Sequence, residues 1–227
     1  MHVILFDIDG TLLHSGGAGQ AGIERALELA FGVTAPTDGI PTAGRTDRAI
    51  GGDLIRFHGL DDVEATHTQL QETYLRVLPS ELTSRNGGVY PGVRELLTRL
   101  SQRDDVRLGL LTGNYREAAW QKLRHYNIAD HFAFGGFGDE HADRDDVARQ
   151  ALSAAAELYA PHAIEREKLW VIGDTPADVR CGRAIGAQVI AVATGMYSFE
   201  ELRGAQPDHL FADFADIDAV LALWPST

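Results

Sequence analysis

Short apolar runs rich in β-branched residues recur along this chain, and helical patterns fill most of the intervals between them. The strand-like runs are residues 2 to 6, 106 to 111, about 132 to 134, 168 to 173, 188 to 193 and about 209 to 211. A run such as Val3-Ile4-Leu5-Phe6 has no polar alternation, so both its faces should be dry, as in a strand inside a parallel sheet. Between the runs, Val93, Leu96, Leu97 and Leu100 fall on one helical face. Val147 to Leu158, Ala177 to Ile185 and Ile217 to Leu223 read the same way, and a further helix is expected after Asn114. Parallel neighbours need crossover connections, which helices supply. The alternation therefore predicts an α/β fold, a doubly wound parallel-sheet, Rossmann-like core covered by helices on both faces.

The interval between the first two strands breaks this rhythm, being far longer than one crossover helix requires. It contains three helix candidates, residues 18 to 31, 45 to 58 and 62 to 78. Glycine-rich segments flank it, His14-Ser15-Gly16-Gly17 on one side and Asn86-Gly87-Gly88 on the other. An inserted α-helical cap domain on two hinges is the simplest account. The expected division is a core of residues 1–15 and 89–227 and a cap of residues 16–88, placed over the sheet edge where the first strand ends.

Composition narrows the partners. Formal net charge is −13, from 33 acidic against 20 basic residues. Such a field repels nucleic acid and anionic membranes, so neither is an expected partner. It does not attract an anionic substrate globally, so a phosphate would need a local basic or metal-bearing pocket. Cys181 is the single cysteine, which excludes an intramolecular disulfide and a thiolate metal cluster. The first strand starts at residue 2 and no apolar run approaches membrane length, so a cytoplasmic protein is expected.

Three of the strands end in polar motifs. The first runs into Asp7-Ile8-Asp9-Gly10-Thr11. Asp7 and Asp9 point to the same side wherever the chain stays extended, and two crowded carboxylates call for a divalent cation or a shared proton. A surface turn would also accommodate them. A calcium loop fits poorly, because its twelfth position, where a bidentate Glu belongs, is Ala18. The strand at 106 to 111 ends in Thr112-Gly113-Asn114, which offers neutral donors and close backbone approach to an anion, or simply a helix N-cap. The strand at 168 to 173 runs into Gly173-Asp174-Thr175-Pro176-Ala177-Asp178, where either acid could serve as a helix-terminal residue. Taken together, the three ends would converge at one edge of a parallel sheet, where ligands bind. Acids for a hard cation beside donors for a phosphate suit magnesium-assisted phosphoryl chemistry.

In Asp7-Ile8-Asp9-Gly10-Thr11-Leu12, Leu111-Thr112-Gly113-Asn114 and Gly173-Asp174-Thr175-Pro176-Ala177-Asp178, the chain resembles the haloacid dehalogenase-like hydrolase superfamily, in particular its phosphoglycolate phosphatase-like branch. The resemblance covers almost the whole chain, and the helical insert lies where that branch carries its cap. It implies a magnesium-dependent phosphatase acting on a small phosphorylated metabolite, as a monomer or homodimer. Asp7 would be the nucleophile that accepts the phosphoryl group, and Asp9 the acid and then the base. Mg2+ would be held by Asp7, the backbone carbonyl of Asp9 and Asp174, with Asp178 ordering the site. Thr112 and the amides that follow it would bind phosphate oxygens. Thr11, Gly113 and Asn114 are assigned to the substrate side.

The match departs in one place. The family usually has a Lys some thirty residues before its last acidic motif, whereas no Lys lies between Lys122 and Lys168. Arg144, just ahead of a helix, is the candidate for that role; it keeps the charge with a bulkier, forked head. The alternative for Arg144 is a surface salt bridge among Asp143, Asp145 and Asp146. Arg45, at the start of a cap helix, is the candidate for gripping a second anionic group of the substrate, or else an exposed helix-start Arg. Gly17-Ala18-Gly19-Gln20-Ala21-Gly22 matches a dinucleotide fingerprint but lies too far from the first strand, so a hinge is expected there. His125, His131 and His141 show no metal-ligand spacing. A phosphomutase would use the same residues, a haloacid dehalogenase would not need Asp9, and a non-catalytic phospho-ligand-binding protein is the remaining alternative.

Overall fold

The computed structural model describes residues 1–34, 39–161 and 163–225. Its main sheet has six parallel strands: β1 (His2–Phe6), β4 (Val106–Leu111), β5 (Gly135–Gly136), β6 (Leu169–Gly173), β7 (Gln188–Val192) and β8 (His209–Phe211). Their spatial order is β5-β4-β1-β6-β7-β8. β2 (Leu13–His14) and β3 (Gly88–Val89) form a separate antiparallel pair.

β1 shows why its run at residues 3–6 is apolar. Val3, Ile4, Leu5 and Phe6 are all fully buried, each side chain contributing roughly 1.5–3 kcal/mol by leaving water. Strand alternation sends Ile4 and Phe6 into one hydrophobic cluster and Val3 and Leu5 into another. The first cluster is completed by α4 (Val93–Ser101) and α5 (Arg116–His125), the second by α6 (Arg144–Leu158) and α7 (Pro176–Ala184). The sheet is therefore a layer between two helical layers, as expected. Phe6 pairs in register with Leu110 on one side and Ile172 on the other. The residues that follow these three strands thus emerge together, at one edge.

The third sequence-predicted strand needs correction. Residues 132–134 are not a strand; β5 is Gly135–Gly136, paired with Leu110 and Leu111. Phe132 and Phe134 are buried, which accounts for their apolar signal. The pairing falls on the glycines because a Cβ at Gly136 would strike the backbone of α6 at Val147. Close approach, rather than β propensity, decides that position.

Between β2 and β3 lie α1 (Ala18–Phe31), α2 (Asp47–Phe57) and α3 (Glu64–Ser84). The predicted end of the last helix at 78 was too early, because α3 continues through Pro79. Proline leaves the carbonyl four residues back without its helical donor. That carbonyl, on Leu75, instead accepts from Gln121 Nε2 at 3.1 Å. Gly17 precedes α1 in the left-handed region, but Gly19 and Gly22 lie inside the helix, so the glycine motif is not a hinge throughout. A Cβ at Gly22 would come within 2.9 Å of the Tyr74 ring, so this glycine serves α1–α3 packing. Chain entry and exit are held together: Leu13 pairs with Val89, His14 pairs with Gly88, and Tyr90 N donates to Leu12 O at 3.1 Å.

α8 (Phe199–Gly204) and α9 (Ile217–Leu221) complete the chain. No helix among the described residues is long and apolar enough to cross a membrane.

Candidate active site

The ends of β1, β4 and β6 open into a cavity of about 620 Å3. Its floor carries Asp7, Asp9, Thr112, Gly113, Asn114, Arg144 and Asp174, and α1, α2 and α3 contribute Ile23, Ile50, Leu54 and Tyr74. Asp7 is still tied to the sheet, its N–H donating to Ile172 O at 2.9 Å. Beyond it Gly10 turns the chain with φ +86, and a Cβ there would overlap the Asp174 carboxylate. The glycine of the first motif is thus required twice, for its left-handed backbone and for the approach of the second acid.

One oxygen each from Asp7, Asp174 and Asp178 lie within 4.8 Å of one another, and all three residues are buried. Asp178 sits below the cavity as the N3 residue of α7. Its Oδ2 accepts from Thr175 N at 3.0 Å and Thr175 Oγ1 at 2.7 Å, forming a capping box. Its other oxygen pairs with Arg144 Nη2. Arg144 Nη1 lies 3.7 Å from Asp7 Oδ1. Arg144 is 3% exposed, so it is not in a surface salt bridge with its acidic neighbours. It is the first residue of α6, which begins three residues before the apolar pattern because Asp143 caps it by accepting from Asp145 N at 3.0 Å. Burial opposes the guanidinium charge, but Asp178 and Asp7 outweigh it and hold Arg144 protonated.

Several predicted site residues occupy other stations. Thr11 is fully buried, does not line the cavity, and donates from Oγ1 to Asp174 Oδ1 at 3.1 Å. It supports an acid instead of facing a substrate. The Asp9 carboxylate lies outside the acidic triad of Asp7, Asp174 and Asp178. Asn114 lines the cavity, but its amide donates to Asp9 Oδ2 at 2.9 Å and to Thr112 Oγ1 at 2.8 Å. Arg45 also lines the cavity, yet it is paired with Asp53 at 2.6 Å and donates to Pro41 O at 3.0 Å. The local helix thus already employs it. Gly113 is packed tightly, since a Cβ there would strike the Arg45 carbonyl. Asp47 N donates to Gly113 O at 2.7 Å and Asp47 Oδ2 accepts from Tyr115 N at 2.8 Å, seating α2 on the β4 loop.

Lys122 was missed in the sequence. Its Nζ lies 2.6 Å from Asp9 Oδ2 and 2.6 Å from Asn114 Oδ1, on the cavity wall. The signal was present in α5: Ala118, Ala119, Lys122 and Leu123 are the buried stripe, and their spacing puts a lysine on an apolar face.

A family model for haloacid dehalogenase-like hydrolases matches residues 1–186. The chain belongs to this family. Among relatives, it is 27% identical over 231 residues to a phosphoglycolate phosphatase of Nitrosococcus oceani, covering 97% of this chain and 96% of the relative. It is 30% identical over 226 residues to a phosphoglycolate phosphatase of Rhodospirillum rubrum, covering 94% and 88%. The fold matches that of CbbY from Rhodobacter sphaeroides, in complex with phosphate, with a TM-score of 0.76 at 20% identity over 96% of each chain. In this haloacid dehalogenase-like hydrolase the three strand ends converge on one cavity, and Arg144 lies between Asp7 and Asp178.

The donor set of the triad suits a hard divalent cation: three carboxylates, oxygen ligands only, offset by one guanidinium. Burial raises Asp7 to about 7, with Asp178 adding to the rise and Arg144 opposing it. Burial, then Asp178 and Asp7, raise Asp174 to about 9. Both lie above the unfolded value of 3.8. The metal-free folded chain therefore holds protons that the unfolded chain has released. The resulting stabilisation is complete below pH 4 and disappears as pH rises through 7 and 9. His2 and His131, lowered chiefly by burial, act in the opposite direction but are neutral in both states well above the ordinary imidazole value of 6.5. Between pH 7.5 and 9.5 the melting temperature measured in EDTA is thus expected to fall, and saturating Mg2+ to flatten the slope. A melting temperature in EDTA that rises over this window would exclude the assignment.

Proposed function

We propose that this protein is a magnesium-dependent phosphatase that hydrolyses a small phosphate monoester through an aspartyl-phosphate on Asp7. The supporting observation is the separation of the acids: Asp7 is grouped with Asp174, Asp178 and Arg144, while Asp9 faces the same cavity apart from them, paired with Lys122. The phosphoglycolate phosphatases among its relatives make phosphoglycolate the first ester to assay. We also read residues 16–88 as a cap on a core of residues 1–15 and 89–227, with closure that excludes bulk water.

In the first half-reaction an Asp7 oxygen attacks phosphorus, the ester P–O bond breaks, and Asp9 gives its proton to the departing alkoxide. In the second, the Asp9 carboxylate takes a proton from water, the hydroxide attacks phosphorus, and the Asp7–phosphorus bond breaks to return the carboxylate and release phosphate. Mg2+, held by Asp7, Asp174 and the Asp9 main-chain carbonyl with Asp178 ordering them, would supply the positive charge that lets a carboxylate approach a phosphate dianion. Arg144 adds fixed positive charge beside Asp7. Thr112 Oγ1 accepts from Asn114 Nδ2, which leaves its own proton free for a phosphate oxygen, next to the backbone amides of the β4 loop.

Release of inorganic phosphate from phosphoglycolate and a panel of phosphorylated metabolites tests the reading. Sustained release that needs Mg2+ and stops with excess EDTA is expected. A single turnover without sustained release would favour a phosphomutase, and no release from any ester would overturn the proposal.

A further inference from the structure

We propose that Lys122, itself held by Asn114, is the positioning residue for Asp9. It fixes the Asp9 carboxylate on the cavity side, apart from the Asp7, Asp174 and Asp178 cluster. This role rests on the phosphatase reading, since it takes Asp9 as acid and base.

The Asp9 side chain is 39% exposed, and left to itself it would sample several rotamers. Its Oδ2 instead receives two hydrogen bonds, from Lys122 Nζ at 2.6 Å and Asn114 Nδ2 at 2.9 Å. Both donors are locked in turn. The Lys122 side chain is 4% exposed and gives a second bond to Asn114 Oδ1 at 2.6 Å, while the Asn114 amide also donates to Thr112 Oγ1 at 2.8 Å. The network therefore closes on the ends of β1 and β4, the two strands that carry the attacking acid and the phosphate donors. Lysine is almost never fully buried without a partner, because its ammonium is strongly hydrated. Here the amine is buried and the acid remains open to the cavity. That asymmetry constrains the acid and leaves Asp9 Oδ1 for a reactant.

The position of Lys122 has two consequences. Asp9 is prevented from crowding a cluster that already holds three carboxylates. The ammonium also puts a positive charge on the cavity wall beside Asp9, where an incoming phosphate enters. A Cβ at Gly19 would lie 3.7 Å from Nζ, so the ammonium sits at the seam between α1 and α5.

The test compares kcat/KM for phosphoglycolate, whose alkoxide needs a proton to leave, with that for p-nitrophenyl phosphate, whose leaving oxygen does not. Lys122→Met is expected to lower the value for phosphoglycolate by about 100-fold and that for p-nitrophenyl phosphate by less than about 5-fold. Added to Asp9→Asn, it is expected to cost no more than about 2-fold further with phosphoglycolate, because the two residues act as one unit. Equal losses with both esters, or losses that multiply in the double variant, would mean a merely structural role and overturn the proposal. If Lys122→Met does not fold, Lys122→Gln is put through the same two comparisons. No Asp7-dependent release from either ester by the wild-type protein would overturn the phosphatase reading and this role with it. That result is distinct from a Lys122 variant that hydrolyses both esters normally.

Discussion

Asp7→Asn is expected to lower phosphate release by at least about 10⁴-fold, because the amide cannot carry the phosphoryl group. The same substitution removes one of three carboxylates crowded into a buried cluster. Burial already pushes Asp7 up to about 7, which marks its charged form as unfavourable in the metal-free fold. The variant should therefore be inactive and yet melt no lower than wild type in EDTA at pH 8, with a smaller gain from Mg2+. Phosphate-release assays and thermal denaturation measured on one preparation read both effects. Equal magnesium-dependent turnover by the variant and the wild type would sink the mechanism. An inactive variant that melts far lower would show a folding defect and say nothing of catalysis.

Arg144→Met should have the opposite signature. Arg144 is the buried cation between Asp178 and Asp7. Its removal leaves uncompensated charge in the interior, at a cost of about 3–5 kcal/mol. For a chain of this size that corresponds to a melting temperature lower by roughly 6–20 °C. The loss should be smaller at pH 5.5 than at pH 8, since Asp7 and Asp174 can take up protons at the lower pH. Saturating Mg2+ should restore part of it. Turnover should fall by about 100-fold or more through the lost charge beside Asp7. Arg144→Lys, which matches the residue expected from the family resemblance, should retain most of the stability. A melting temperature for Arg144→Met within 2 °C of wild type at pH 8 would show that the guanidinium does not hold the acids together.

Asp9 and Lys122 illustrate how the local sequence can mislead about a site. Lys122, Arg124 and His125 stand in the last turn of α5, where the helix dipole alone accounts for basic residues. The apolar spacing turns Lys122 inward, but nothing in that turn names the acid, 113 positions away, that it reaches. Arg45 shows the converse. Its place at a helix start suggested a substrate anchor, but Asp53, two turns further along α2, pairs with it at 2.6 Å.

The layered α/β core and the gathering of Asp7, Thr112 and Asp174 at one edge are legible in the order of residues. Those features depend on strand and helix periodicity and on the short motifs that end each strand, all of which are local in the chain. The sharing-out of the polar side chains depends on contacts distant in the chain: Thr11 to Asp174 across 163 positions, Asn114 and Lys122 to Asp9, and Arg144 to Asp178 and Asp7. Hydrogen bonds and ion pairs of this kind are set by which strands lie side by side and which helix face turns inward. Those relations exist only once the sheet order β4-β1-β6 has formed.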